Sequence, residues 1–419
     1  MKKINSDILF EMAIFFLPFE NFFFAPSAGW AAISPLILVG YLILNIKNAP
    51  KIINDFKHII FFFIIGFIFT TINLLTIDFT FNNFINASIS IGLGLICLLS
   101  LGIYYKKNQK NKEKAFNKII KLIIISYSIS LICGILQYIA IKENITIIYS
   151  FFANIFKRNY LMVDRVQFFF TESSFIGMHL FGILLPLYLI TKNKKLIRLI
   201  LIFSFLSIYF SSGVRIIIDI IVIILIFLYQ YLIKRKNYIL ILFIPLLTIC
   251  LIYCAYNYNL RVKHIIDHGI YADGSLASRY FRINASIHGY KEQPLHFLLG
   301  YGIGNSIIPL RDGYFTALND YNLSYLKEIR QLGNINYTSD SVSYCLYIRV
   351  ISEYGFILCI LAIAYLISLV KKSNFPYKWA YFLTILYLYI QFDSLAFYAL
   401  WLFIVTIIYT KEPKERNFI

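Results

Sequence analysis

Residues 278–305 read SRYFRINASIHGYKEQPLHFLLGYGIGN and belong to a long polar interval, Asn257–Val342, in a chain that is otherwise a series of apolar runs. The interval contains two arginines three positions apart, Arg279 and Arg282, and a turn with glycine at every second position, 300–304. The apolar runs around it are about 18 to 25 residues long, the length that a helix needs to cross a bilayer. The interval is therefore expected to lie on one side of a membrane and to hold most of the polar groups available for function.

The composition places the chain in the class of membrane proteins. Of its 419 residues, 59% are hydrophobic and only 14% are charged, whereas soluble domains carry about 25% charged residues. The formal net charge is +18, but the lysines stand in short clusters between apolar runs, as in the cytoplasmic loops of multispan proteins. Membrane lipids are the predicted surroundings, and no nucleic-acid partner is predicted.

The predicted fold class is an all-α polytopic membrane protein with about twelve transmembrane helices. An inside N-terminus puts 25 of the 39 lysines and arginines on the inner face, so both termini are expected inside. Residues 1–256 are predicted to hold the first nine spans, with a moderate external loop at 142–170. Residues 257–342 form the large external loop with amphipathic helices and the active site, and residues 343–419 hold the last three spans and a cytoplasmic tail.

Three arginines in or near these external segments suit an anionic ligand. Arg215 follows Ser-Ser-Gly at the start of a span, where free backbone N–H groups favour phosphate. Arg279 and Arg282 would share one helix face, and a guanidinium fork matches phosphate oxygens. The alternatives are a snorkelling anchor or a partner of Asp219 for Arg215, and a solvated basic face for the other two.

A further arginine, Arg165, precedes Glu172 by seven positions, and Glu172 either begins a span as a favourable helix-start acid or belongs to the site. The histidines at 264 and 268 have a spacing that can bind a metal. No third ligand accompanies them, and the six cysteines lack metal-site spacing. The sequence therefore predicts no metal and no cofactor.

Short motifs spread over the whole chain resemble those of the O-antigen polymerase (Wzy) and O-antigen ligase superfamily of bacterial envelope glycan enzymes. They are Arg165 with Thr171–Gly177, Ser212–Arg215, Ser278–Asn305, and Asp340–Ser341 with Glu353–Gly355. The resemblance also covers the architecture of many spans with one dominant external loop. Ligases of this kind carry His-Asn before the last motif, and its absence here favours a polymerase.

The resemblance implies a metal-independent glycosyltransferase that polymerises polyprenyl-pyrophosphate-linked oligosaccharides into a surface polysaccharide, O-antigen or capsule. Donor and acceptor would both be lipid-linked, and a chain-length regulator protein is a further implied partner. The implied location is the bacterial cytoplasmic (inner) membrane, with the large loop facing the periplasm. An O-antigen ligase is the first alternative, and a flippase for lipid-linked oligosaccharide is the second.

The resemblance also implies roles for particular residues. The residues expected to bind the donor pyrophosphate are Arg215, Arg279, Arg282 and Arg165. The general base that would deprotonate the acceptor hydroxyl stays open among four residues, which are Glu172, Asp340, His288 and Glu353.

Overall fold

The fold is helical throughout the part of the chain that the computed structural model describes. The described residues are 6–22, 32–73, 81–157, 165–210, 212–236, 241, 243–320, 323–334 and 344–409. Within them, the only extended pairing consists of two isolated β-bridges, Glu20 with Ala32 and Phe22 with Phe156.

The helices before the polar interval lie mostly in the apolar runs, but the helix Thr146–Ile155 lies in the predicted external loop 142–170. In chain order they are α1 Asp7–Phe15, α2 Ser34–Leu44, α3 Ala49–Asp55, α4 Lys57–Asn73, α5 Phe81–Lys107, α6 Lys112–Lys142, α7 Thr146–Ile155, α8 Ile176–His179, α9 Leu185–Thr191, α10 Lys194–Tyr209, α11 Val214–Lys234 and α12 Ile244–Tyr258. One π-helical turn, Leu180–Leu184, joins α8 to α9.

The polar interval and the end of the chain contain the remaining helices. These are α13 Leu260–His268, α14 Gly274–Glu292, α15 Pro294–Leu299, α16 Ile307–Asp312, α17 Tyr314–Asp320, α18 Lys327–Leu332, α19 Leu346–Lys372, α20 Lys378–Leu388 and α21 Tyr398–Tyr409.

Several of these helices are long and apolar enough to span a membrane, which fits the predicted polytopic helical fold. The described residues contain five such segments: Phe81–Lys107, Gln109–Lys142, Ser173–Thr191, Val214–Lys234 and Leu346–Lys372. A sixth span results if α2 and the helical stretch Ile46–Asp55, bent by 75° relative to each other, count as one. Other apolar runs form helices of 10–17 residues.

The described part of the polar interval, residues 257–320 and 323–334, packs around a small core of its own and is called the loop subdomain below. The core lies between α14, α16 and α17 and includes Phe281, Ala285 and Leu310. Asp273 begins α14, where its carboxylate accepts a hydrogen bond from the Leu276 N–H. Such a cap satisfies one of the free donors at a helix N-terminus.

The glycine turn joins the loop subdomain to the apolar helices. Gly300, Gly302 and Gly304 have φ values of +91°, +94° and +86°, a conformation that favours glycine over other residues. A Cβ on Gly304 would stand 2.6 Å from the Phe84 backbone nitrogen, and a Cβ on Gly300 would stand 2.7 Å from that of Gly355. The alternating glycines therefore let the turn pack directly on backbone of α5 and α19.

A break in the α-helical structure, residues 389–397, separates α20 from α21 and begins with the 3₁₀ turn Tyr389–Gln391. Its carbonyl groups need partners because water is scarce among apolar helices. Arg215 Nη1 donates to the Gln391 carbonyl at 3.1 Å, and Arg349 Nη1 donates to the Asp393 carbonyl at 3.2 Å. The Leu346 N–H donates to the Phe392 carbonyl between them.

Candidate anion-binding site

A cavity of about 80 Å³ lies where the start of α11 meets α13, α14 and the segment 165–174. We call it the arginine cavity. The charged residues that line it are Arg165, Arg215, Arg261, Arg279, Glu172 and Asp273. Four cations thus face two carboxylates. Ser173 and Ser174 add hydroxyl groups to the wall, and Gly213 exposes backbone at the N-terminus of α11.

Arg215 is the most buried of these cations, with 7% of its surface exposed. Its Nη1 is used by the Gln391 carbonyl. Its Nε and Nη2 have no hydrogen-bond partner among the described residues. A buried guanidinium in this condition has lost its water without full replacement, which is costly unless a ligand supplies acceptors.

The acid one turn after Arg215 is turned partly away from it. Asp219 Oδ2 lies 3.7 Å from Arg215 Nε, beyond hydrogen-bond distance. Asp219 Oδ1 instead accepts a hydrogen bond from the Tyr387 hydroxyl at 2.6 Å. The two charges therefore attract each other, while the hydrogen-bonding capacity of the guanidinium remains largely unused.

A second arginine of the cavity, Arg261, is already paired with a carboxylate. Two nitrogens of Arg261, Nε and Nη2, donate to the two carboxylate oxygens of Asp273, with Nη2 at 2.8 Å from Oδ1. Burial opposes ionisation of Asp273, but hydrogen bonds from Arg261 and from the Leu276 N–H leave its pKa below the ordinary value. This pair fixes α13 against the start of α14 and leaves the anion-binding task to the other arginines.

Arg279 and Arg282 both approach the ring of Tyr344 but have different surroundings. Arg279 lines the cavity, with its Cζ 5.8 Å from the ring centre. Arg282 lies deeper, with its Cζ 4.6 Å from the ring centre and Nη2 3.8 Å from Glu328. Tyr344 has φ of +50°, and burial raises the pKa of its hydroxyl although Arg282 opposes the shift.

The structure brings together some predicted site residues and separates others. Arg165, Arg215, Arg279 and Glu172 line one cavity, whereas Arg282 stands behind it. His288 contacts Asp320 at 2.8 Å near the surface of the loop subdomain. Glu353 is buried and accepts a hydrogen bond from Arg349 at 3.0 Å. Asp340 lies outside the described residues.

The sequence reasoning missed several residues of this region. Nothing in the sequence marked four of them as site residues, because polar residues are common outside spans. They are Arg261, Asp273, Tyr344 and Gln391. Buried Arg349, at the start of a span, did give a signal, since charges within apolar runs are expensive and are usually retained for a reason.

Comparison with known proteins gives a different relationship from the predicted one. Residues 75–210, a third of the chain, match the family model of cytochrome bd terminal oxidase subunit I. No curated protein and no solved structure matches. The matched segment runs from just before α5 to the end of α10 and is similar to that oxidase subunit.

This finding contradicts the relationship to O-antigen polymerases and ligases, because the matching family consists of respiratory membrane proteins. The predicted function is therefore wrong, both as a glycan polymerase of the glycosyltransferase class and in its ligase and flippase alternatives. The predicted partners, lipid-linked oligosaccharide and a chain-length regulator, are wrong as well. The physical reason is that many spans, one polar loop and short motifs are shared by unrelated membrane proteins, and a fold of this kind does not define a reaction.

A terminal oxidase implies haem, and the matched segment can be tested for a ligand. His179 is its only histidine. Its side chain is fully buried, with Nδ1 2.8 Å from the Tyr127 hydroxyl and Nε2 2.9 Å from Glu20 Oε1. Because both ring nitrogens are engaged, His179 in this arrangement does not fit an axial haem ligand, which needs one nitrogen free.

Proposed function

We propose that this chain is an integral membrane protein that binds a phosphate-bearing amphiphile, with the phosphate in the arginine cavity. The observation that carries the proposal is Arg215, which is buried and has two guanidinium nitrogens without a partner among the described residues. Two phosphate oxygens would accept from these nitrogens in the bidentate geometry that arginine favours.

The surroundings of Arg215 support an anion over a neutral group. Arg165 and Arg279 add positive charge to the same cavity, while Arg261 is neutralised by Asp273. Glu172 offsets one of the three remaining positive charges, and the excess attracts an anion most strongly at buried Arg215, where little water screens it. Ser173 can donate a hydroxyl hydrogen bond to a further phosphate oxygen, whereas the Ser174 hydroxyl donates to Glu172 Oε2 at 2.9 Å.

The neighbourhood of the cavity supports an amphiphile over a free anion. An apolar cavity of about 360 Å³ lies between α4, α19, α20 and α21. The break between α20 and α21 borders both cavities, since Gln391 lines the arginine cavity and Leu395 lines the apolar one. A ligand with a charged head and an alkyl chain would match this pairing of a polar and an apolar space.

The test is binding of monododecyl phosphate to the full chain purified in a neutral detergent, measured by calorimetry. We expect Arg215→Ala to weaken binding about 30-fold and Arg279→Ala about tenfold, since each loses charge-assisted hydrogen bonds worth about 1.5–3 kcal/mol. Lys291→Ala is the matched control, because Lys291 lies at the end of α14 and does not line the cavity.

Inorganic phosphate and a neutral dodecyl ether serve as the other two ligands. The proposal requires weaker binding of both than of monododecyl phosphate. Equal affinity for inorganic phosphate would mean that a free anion is the ligand, and equal affinity for the neutral ether would refute the role of the arginines. An unchanged affinity in Arg215→Ala would overturn the proposal as a whole.

We also propose the full topology of about twelve spans with both termini inside and the loop subdomain outside. The one-sided lysine clusters support it, and the apolar helices shorter than a full span would need irregular flanks to complete their crossings. Reporter fusions at Lys194 and Asn319 test the topology. A cytoplasmic readout at Asn319 would contradict it.

The family match favours a second candidate function, a role in electron transfer. The absorption spectrum of the protein purified without added cofactor tests it. A haem spectrum would support this second candidate and would require ligands other than His179 as it is placed here. A protein without visible absorbance would leave the anion-binding proposal as the better account.

A further inference from the structure

One carboxylate far from the solvent joins three separate parts of the chain. Glu20 follows α1 and has no exposed surface. Its Oε1 lies 2.9 Å from His179 Nε2 at the end of α8. Its Oε2 accepts hydrogen bonds from the backbone N–H of Thr171 at 3.1 Å and from the Thr171 hydroxyl at 3.2 Å.

The two contacts of Glu20 close a loop. Thr171 and His179 are the two ends of the segment 171–179, and both ends are bound to the same carboxylate. The His179 end is fixed further by the Tyr127 hydroxyl of α6, at 2.8 Å from Nδ1. The residues between the ends are thus held as a closed unit, much as a cross-link would hold them.

Hydrogen bonds from the Gln137 side chain fix the backbone just before this loop. The side chain of Gln137 accepts hydrogen bonds from the backbone N–H groups of Gln167 and Phe168 and donates one to the Phe168 carbonyl. Phe168 has φ of +57° and packs against Gly134, where a Cβ would stand 2.1 Å from the ring. Irregular backbone among apolar helices is stable only when its polar groups are satisfied in this way.

The middle of the closed loop belongs to the arginine cavity. Glu172, Ser173 and Ser174 line the cavity directly. Gly177 lies against the carboxylate of Asp219, where a Cβ would stand 1.8 Å from Oδ2. The loop therefore supplies one wall of the cavity and also touches Asp219, the acid one turn after Arg215.

We propose that Glu20 and His179 are positioning residues that hold the loop 171–179 as a wall of the anion site, although neither lines the cavity. The inference rests on the proposed function, since it assigns these residues an effect on phosphate binding. Ligand preference for phosphate then depends on a hydrogen-bond network that is separated from the ligand by the loop.

The experiment compares Glu20→Ala with wild type in the monododecyl phosphate assay and in thermal unfolding. Glu20→Ala releases both ends of the loop, and we expect about tenfold weaker binding of monododecyl phosphate with little change for the neutral dodecyl ether. Glu20→Gln should restore most of the affinity, because an amide can accept from Thr171 and donate to His179. Tyr398→Phe is the control, since it removes a buried hydrogen bond to Ser34 but none of the hydrogen bonds of Glu20 or His179.

A double-mutant cycle separates positioning from general destabilisation. In a Ser173→Ala/Ser174→Ala background, Glu20→Ala should cost less than threefold, since the groups that it positions are already gone. An undiminished tenfold loss in that background, or an equal loss in Tyr398→Phe, would overturn the proposal. If Glu20→Ala does not accumulate in the membrane, His179→Leu replaces it, because that change releases only one end of the loop.

The failure of this inference can be told apart from failure of the proposed function. If Arg215→Ala weakens binding and Glu20→Ala does not, the site is right and the positioning role is wrong. If neither change affects binding, the site itself is wrong.

Discussion

Arg215 and Arg349 are two buried arginines with the same local pattern and different surroundings. Each stands in the first turn of a membrane-spanning helix and has an acid one turn later, Asp219 or Glu353. Each also donates Nη1 to a carbonyl of the break between α20 and α21. In the sequence the two arginines share this arginine-to-acid spacing, although only Arg215 follows Ser-Ser-Gly.

The two arginines differ in how closely the neighbouring acid contacts the guanidinium. Arg349 Nε donates to Glu353 at 3.0 Å, whereas Arg215 Nε is 3.7 Å from Asp219, whose other oxygen is held by Tyr387. Arg349 completes a structural pair, while Arg215, which lines a cavity, keeps two guanidinium nitrogens without a partner among the described residues. A residue from another helix therefore separates a structural arginine from one available for a ligand.

The largest expected effect is on the structural pair. Arg349→Ala leaves the carboxylate of Glu353 buried without its cation, which costs about 3–5 kcal/mol. We expect a much lower unfolding temperature and less monodisperse protein in detergent, measured by size-exclusion chromatography after heating. Arg215→Ala should shift the unfolding temperature less, because Asp219 keeps its bond from Tyr387. Equal shifts for the two variants would remove the distinction between them.

The next largest effect is on phosphate binding and depends on the planar shape of the Arg215 guanidinium. Arg215→Lys keeps the charge but replaces the planar fork by a single ammonium group, so monododecyl phosphate should bind about tenfold more weakly. Calorimetry of the purified variant measures this. Arg235→Lys, at the other end of α11 over the ring of Tyr231, is the matched control and should bind like wild type.

The helical fold was predictable because long apolar runs leave few alternatives in a bilayer. Three of these apolar runs form the long helices α5, α6 and α11. Irregular backbone was harder to predict, because the bend between α2 and α3 and the positive φ of Gly355 depend on neighbouring segments.

The site was predictable only in part. Arg215 stood out because a charge in an apolar run is expensive. Its state depends on Tyr387, which is distant in the chain, and no spacing rule connects the two positions. Glu20 and His179 also lie in apolar runs, yet their shared loop is visible only in three dimensions. The family resemblance was misleading because its motifs were short and loosely spaced.

A smaller effect tests why Asp219 is turned from Arg215. Tyr387→Phe removes the hydroxyl that holds Asp219 Oδ1, so the carboxylate should move toward Arg215 and make it resemble Arg349. We expect about threefold weaker binding of monododecyl phosphate, measured by calorimetry. In an Asp219→Asn background the same change should have no effect, because the competing charge is absent. A loss that persists in that background would mean that Tyr387 acts by another route.

The smallest effect is expected at a third pair, Arg261 with Asp273, which lies at the edge of the arginine cavity. Its arginine is about one-third exposed, with 32% of the side chain accessible, so solvent screens the interaction. Asp273→Asn keeps a side-chain oxygen that can cap α14 but loses the charge, and we expect a loss of about 0.5 kcal/mol in the free energy of unfolding.

The pH dependence of the unfolding temperature tests whether the charge of Asp273, rather than its capping geometry, stabilises α14. Burial favours the protonated carboxyl of Asp273, but Arg261 and the Leu276 N–H outweigh it and lower the pKa in the folded protein. A lowered folded pKa means that Asp273 contributes stability above its unfolded pKa of about 3.9 and loses it as pH falls through the folded pKa. Wild type and Asp273→Asn should therefore differ in unfolding temperature at about pH 7 and converge below about pH 4. A difference that stays constant over that range would show that the cap geometry, rather than the charge, stabilises α14.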